Sequence, residues 1–266
     1  MALSIQELPK FIARYLPSSL VPKKSEQSQE LRRIGLNIGR ANIVASEILS
    51  GHGDKLILER CVKRPIAKEK SIGEQVKALL NDSGFQEKEA NLSLKGQGVV
   101  IRFLTFPKMS RSDFSSSIQF EAEKYLPFNI SEVVLDYHIV SEGGASGSDN
   151  MMEVILAAAR KTEVDKLVQT AQQAGLKVNA IDIDAFACVN AFEHSTPNAK
   201  TQTVALIDFG AVDTTLAILD KGKLAFSRDV AFGGNDLTEM IQRKLNISAE
   251  EAFKIQEHIS SESAER

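Results

Sequence analysis

Two stretches of the chain share one layout, and this duplication constrains the fold more than any other feature. "IGLNIGRANIVASEILSGHGDKLILERCV" begins at Ile34 and "VALIDFGAVDTTLAILDKGKLAFSRDV" begins at Val204. Each reads as an apolar strand, an Asn/Asp-x-Gly turn, a second strand, a glycine-containing turn and a third strand. Gly39 and Gly210 mark the two tight turns, 171 residues apart. A repeated three-stranded start implies two like α/β halves that face each other across a cleft.

Such turns have a specific chemical use. Glycine at the tip of a hairpin lets backbone N–H groups approach a phosphate without a Cβ in the way. A carboxylate beside the turn can hold hydrated Mg²⁺ or position water for attack on a γ-phosphate. The second copy carries these ingredients in Asp208, Gly210, Thr214 and Thr215. Gly233 and Gly234, with Asn235, precede a predicted helix and would add backbone donors at its N-terminus. The same residues would equally serve plain hairpin turns and a tight connection, so the turns alone do not fix a function.

Composition narrows the field. The 266 residues suit one large or two modest domains, and the 32 basic and 35 acidic side chains give a formal net charge of -3. That balance supplies no basic field for nucleic acid. Cys61 and Cys188 have no metal or disulfide spacing, which points to a reduced, cytoplasmic setting. No apolar run approaches the roughly 20 residues that span a bilayer. The N-terminal segment "MALSIQELPKFIARYLPSSL" lacks a continuous apolar signal core. Its mixture of Phe11, Ile12, Tyr15 and Leu16 with Lys10 and Arg14 reads either as a frayed tail or as an arm that docks on a partner or membrane surface.

Between the repeats, "SIGEQVKALLNDSGF" has helical spacing with Ser71 as N-cap, and strand-like "ANLSLKG" and "VVIRFLTFP" follow. Phe114, Ile118 and Ala122 recur every four residues on an amphipathic helix that stops before Pro127. Strands "EVVLDYHIV" and "MEVILAAAR" flank a loop, "SEGGASGSDN", and a helix over 162–174 ends at Gly175. Asp182 and Asp184, in "IDID", sit at a strand end where catalytic acids occur, but Asp184 reads rather as the N-cap of the next helix. The four histidines have no ligand spacing, and His138 reads as a packing residue. Glu121, Glu123 and Lys124 read as a solvated face, and Ser117 has no triad partners.

Three segments together resemble the type IV pilus assembly PilM family of the actin-like ATPase superfamily, relatives of the division protein FtsA. They are "FPKMSRSDFSSSIQFEAEKYLPFNISEVVLDYHIV" at 106–140, "LIDFGAVDTTLAILDKGKLAFSRDVAFGGNDLTEMI" at 206–241 and, more weakly, 34–49. The resemblance implies an α/β, actin-like (ribonuclease H-like, duplicated) fold with an inserted small α+β subdomain 1C and an incomplete second half. It implies a tail and linker at 1–32, subdomain 1A at 33–107 and 181–200, subdomain 1C at 108–180, and the start of the second domain at 201–266. It further implies a cytoplasmic protein at the inner face of the inner membrane. There a groove between 1A and 1C would take the N-terminal tail of a PilN-like bitopic membrane protein, alongside other pilus platform proteins. A switch-like ATPase and a component of a type II secretion platform are the rival expectations.

The chain departs from that family's pattern at the nucleotide. Asn37, Arg40 and Val44 stand where an acid, a small residue and a lysine are usual, and Arg40 reads either as a replacement cation or as a solvated turn residue. Phe253 and Gln256 stand where a Glu and a Lys would grip ribose. The expectation is a scaffold that requires no cofactor, hydrolyses no ATP and retains at most weak ATP·Mg²⁺ binding through Gly39, Arg40, Asp208, Gly210, Thr214, Gly233 and Gly234.

Overall fold

The structure, a computed structural model, describes residues 31–50, 56–141, 150–197 and 199–264. All but the last two residues of the expected N-terminal tail, the 51–54 turn and most of the "SEGGASGSDN" loop lie outside the described residues. In chain order the strands are β1 (Leu31–Ile38), β2 (Asn42–Ser50), β3 (Leu56–Pro65), β4 (Glu89–Leu94), β5 (Val99–Pro107), β6 (Val133–Ser141), β7 (Met151–Arg160), β8 (Lys177–Ile183), β9 (Thr203–Phe209), β10 (Thr214–Asp220) and β11 (Lys223–Val230). The α-helices are α1 (Ile72–Asp82), α2 (Arg111–Glu123), α3 (Lys161–Gln173), α4 (Asp184–Ser195), α5 (Gly234–Leu245) and α6 (Ala249–Ala264).

These strands build three sheets. The largest has the order β3-β2-β1-β4-β8, antiparallel through the first three strands and parallel from β1 to β4 and β8. The second is the meander β11-β10-β9, and the third has the order β5-β7-β6. The two copies of the repeat coincide in register. Asn37 pairs with Val44 across the first hairpin as Asp208 pairs with Thr215 across the second.

One large core joins all three sheets, with Ile155, Ala157 and Ala159 of β7 supplying the small sheet's share. Ile34, Leu36, Ile43, Leu92 and Ile181 of the five-stranded sheet pack with α1, α3 and α4, and Ala217, Leu219 and Leu224 of the second meander belong to the same cluster. Local sequence explains why α1 begins where it does. The Ser71 hydroxyl accepts from the Glu74 N–H while the Glu74 carboxylate accepts from the Ser71 N–H, a reciprocal cap. Gly175, at φ +82°, turns the chain out of α3 in a conformation that L residues rarely adopt. A second cluster lies over the small sheet, where Phe114, Ile118 and Ala122 of α2 meet Phe106, Met152, Val154 and Leu156.

β5 pairs with β7 along its whole length, so the small sheet begins at Val99. Helix α3 follows directly after β7, with Val164, Leu167, Val168 and Ala171 in the large core. Helix α6 runs to Ala264, and no Gly or Pro interrupts it.

Candidate functional site

Parallel strands β1, β4 and β8 end on one side of the large sheet, the side where open α/β sheets hold their sites. The β9–β10 hairpin of the second meander meets them there. Each glycine turn closes on itself in the same way: the Gly39 N–H donates to the Asn42 carbonyl (2.9 Å) and the Gly210 N–H to the Asp213 carbonyl (3.0 Å).

In the first copy, Asn37 points its amide at a carboxylate instead of standing alone. Its Nδ2 lies 3.2 and 3.1 Å from the two carboxylate oxygens of Asp184 and 2.8 Å from Ser93 Oγ. Asp184 is the first residue of α4, and Ile183 occupies the cap position without a side-chain bond. The expected N-cap role of Asp184 is therefore replaced by a tertiary one. Burial pushes the Asp184 pKa up, opposed by the Ser93 hydrogen bond, the Lys95 charge and the Asn37 hydrogen bond.

In the second copy, Asp208 meets a lysine from the other half. Lys95, the residue after β4, places Nζ 3.2 Å from Asp208 Oδ2, 3.2 Å from Asp213 Oδ1 and 3.9 Å from Asp184 Oδ2. Burial pulls the Lys95 pKa down, but Asp208, Asp213 and Asp184 outweigh it and the pKa ends above its ordinary value. The next residue adds a weak second link, its N–H donating to Asp229 Oδ2 at 3.4 Å.

The remaining expected phosphate ligands are occupied within the protein. Gly233 N–H donates to Asp236 Oδ2, Gly234 N–H to the Gly210 carbonyl and Asn235 N–H to the Ala211 carbonyl. A Cβ at Gly233 would lie 2.6 Å from backbone atoms of Ala211 and Val212. The Gly-Gly pair is thus a tight joint between α5 and the second turn, and its two N–H groups and that of Asn235 are not open donors. The Thr214 hydroxyl donates to the Phe232 carbonyl (2.7 Å) and the Thr215 hydroxyl to Asp229 Oδ1 (2.7 Å). On α6, Phe253 is exposed and Gln256 accepts from the Thr238 hydroxyl of α5. Arg40 is exposed and lines the cleft.

A nucleotide with Mg²⁺ is the group this fold implies, and the side chains fit it poorly. A lysine ammonium sits among the carboxylates, and among the described residues no group of three or more His, Cys, Asp or Glu side chains is placed to hold a metal ion. The open space divides in two. A cavity of about 300 Å³ is bounded by Asn37, Gly39, Arg40, Ser93, Lys95 and Asp184 together with α1 and α3. A larger groove of about 900 Å³ runs between β5, Phe128, the start of α3 and β11, and shares Arg40, Lys95 and Asp213 with that cavity.

This architecture, two β-meander copies around a cleft with a small α+β insert, is the actin-like fold. The profile of the family described as type IV pilus assembly protein PilM matches residues 35–263, and the chain belongs to that family. The structure is similar to that of a PilM–PilN type IV pilus biogenesis complex, with a TM-score of 0.73 and 26% identity over 85% of this chain and 69% of that one. The cytoplasmic domain of EpsL, an inner-membrane component of the Vibrio cholerae type II secretion system, shares the fold (TM-score 0.51, 10% identity, 79% of this chain and 75% of that one). Cell division protein FtsA of Bacillus subtilis is 30% identical over 108 residues, 41% of this chain. The chain spans 24% of the length of that relative. No helix among the described residues is long and apolar enough to cross a membrane.

Sequence reasoning missed Ser93, Lys95 and Asp213. The available signal was position: "SLK" closes a strand parallel to β1, at the end of the sheet that faces the cleft.

Asp182 carries a pH prediction. Burial raises its pKa to about 7, against a smaller opposing hydrogen bond from the Ile183 N–H (2.8 Å). A carboxyl whose folded pKa lies above its unfolded value makes the folded state bind more protons, so its contribution falls as pH rises from about 4 to about 7 and is then level. Asp182→Asn keeps the acceptor and removes the ionisation. It is expected to stabilise the protein by on the order of 2 kcal/mol at pH 8 and by close to nothing at pH 4, read from urea unfolding at the two pH values.

Proposed function

We propose that this chain is a cytoplasmic scaffold of the type IV pilus inner-membrane platform. It would bind the cytoplasmic N-terminal tail of a PilN-like bitopic membrane protein and keep only a degenerate nucleotide site. The observation that carries this reading is the likeness to the PilM–PilN complex across 85% of the chain. The family's remaining platform proteins would be reached through the same assembly, at the inner face of the inner membrane.

The 900 Å³ groove is the proposed tail site. β5 is an edge strand of the small sheet, and Val99, Val100, Ile101 and Arg102 line the groove. An extended tail could add its backbone to that edge while apolar side chains meet Phe128, the common mode of β-strand addition. Phe128 is held under the Arg160 guanidinium, 4.3 Å from ring centroid to Cζ. Calorimetric titration with synthetic N-terminal tails of bitopic inner-membrane proteins from the same genome tests the reading. One tail is expected to bind saturably, and Phe128→Ala to weaken it about tenfold or more. Failure of every tail would contradict the scaffold, and an unaffected Phe128→Ala would move the tail elsewhere.

A further inference from the structure

We infer that Lys95 is a resident cation: its ammonium neutralises carboxylates on both sides of the cleft, the task a bound cation would otherwise perform, and it ties those sides together. The inference deepens the degenerate-site reading, because it says what performs that task.

Three carboxylates from separate elements converge on one nitrogen. Asp208 lies near the end of β9, Asp213 in the turn just before β10 and Asp184 at the start of α4, and Lys95 Nζ lies within 3.2, 3.2 and 3.9 Å of them. Lys95 comes from the large sheet, whereas Asp208 and Asp213 come from the second meander, so these ion pairs cross the cleft. The Asp213 Oδ1 atom is buried and accepts no hydrogen bond, and the Lys95 ammonium is the cation it faces. Without Lys95, that oxygen and the nearly inaccessible Asp184 would confront Asp208 with no intervening positive charge. The Lys95 side chain is itself largely enclosed, 16% exposed, so its charge is poorly screened by water.

Two consequences follow from Coulomb's law. A divalent cation approaching the same carboxylates meets a fixed ammonium a few ångströms away, in a site of low effective dielectric, and is repelled. The second meander is held to the large sheet by a covalently attached cation, so closure of the cleft does not wait for a ligand. The Gly96 N–H on Asp229 reinforces the same seam.

Lys95→Met removes the charge and keeps the stem. In metal-free buffer it is expected to lower the unfolding temperature by roughly 4 °C or more and to speed amide exchange in the 208–214 turn. Millimolar Mg²⁺ should then raise the variant's unfolding temperature, and should leave wild type and Lys95→Arg unmoved. Should Lys95→Met fold too poorly to measure, Lys95→Met with Asp208→Asn balances the charge and is expected to recover part of the lost stability. A Mg²⁺ response in wild type equal to the variant's would overturn the inference. So would a Lys95→Met protein with unchanged stability and exchange, or a double variant no more stable than the single one. Weaker ATP binding by Lys95→Met than by wild type would assign the ammonium to a phosphate and equally overturn it. These outcomes are read from stability, amide exchange and ATP binding, whereas the scaffold reading is tested by tail titration of the wild-type chain, so failure here leaves the scaffold reading standing.

Discussion

Asn37→Asp is expected to destabilise the protein by about 3 kcal/mol and to yield no ATP turnover. Viewed in the sequence alone, Asn37 is a missing carboxylate in a phosphate turn. In the fold it is the donor that satisfies one: its amide bonds both oxygens of Asp184, a side chain 5% exposed, and Ser93 Oγ. An aspartate there loses those donated bonds and places a second negative charge within hydrogen-bond distance of the first. Lys95 already serves Asp208 and Asp213 and reaches Asp184 only at 3.9 Å, so it cannot neutralise the newcomer as well. The loss should shrink at low pH, where one carboxyl of the pair takes up a proton. Chemical unfolding at pH 5 and pH 8, with a phosphate-release assay, reads both parts. Turnover from this single change would show that the site is live and that the contacts at Lys95 and Gly233 yield to a nucleotide.

Phe114→Ala carries the second large effect, about 3–5 kcal/mol. Phe114 is fully buried on α2 and meets Phe106 and Tyr137 edge-to-face, at 5.1 and 4.9 Å between centroids. It is the central contact of the cluster that fastens α2 to the β5-β7-β6 sheet. That cluster is small and shares no residue with the large core, so its loss is not shared out among many neighbours. Truncation is therefore expected to loosen the small sheet before the rest of the molecule. Hydrogen exchange should rise first in α2 and β6, with β1 and β4 still protected. Uniform loss of protection across all three sheets would mean that the insert and the large sheet unfold as one unit.

Local and repeated features of this fold were legible before any coordinates. The two meanders, the turn glycines, the Ser71 cap, the Gly175 exit and the buried stripe of α2 all depend on short-range periodicity and appear as read. The cleft's chemistry was not legible, because it is made by contacts between residues 113 and 147 positions apart. Nothing near Lys95 in the sequence announces Asp208, and nothing near Asp184 announces Asn37. The sheet that β5 joins was not legible for a related reason. β5 alternates in the same way whichever sheet it joins, and its pairing with β7 is fixed by packing over α2. The glycines at 233 and 234 illustrate a further limit: the motif fits a phosphate joint and a packing joint alike, and only the short approach to Ala211 and Val212 distinguishes them.

If the chain is a scaffold, the partner's tail should bind it equally well with and without nucleotide. The direct measurement is a calorimetric titration of that tail into the full chain, run once in metal-chelating buffer and once with millimolar Mg²⁺ and ATP. The account predicts the same dissociation constant in both, within about a factor of two, and no heat from ATP alone. A tail that binds only with Mg²⁺ and ATP, or more than about tenfold tighter with them, would contradict it and establish a nucleotide-controlled switch.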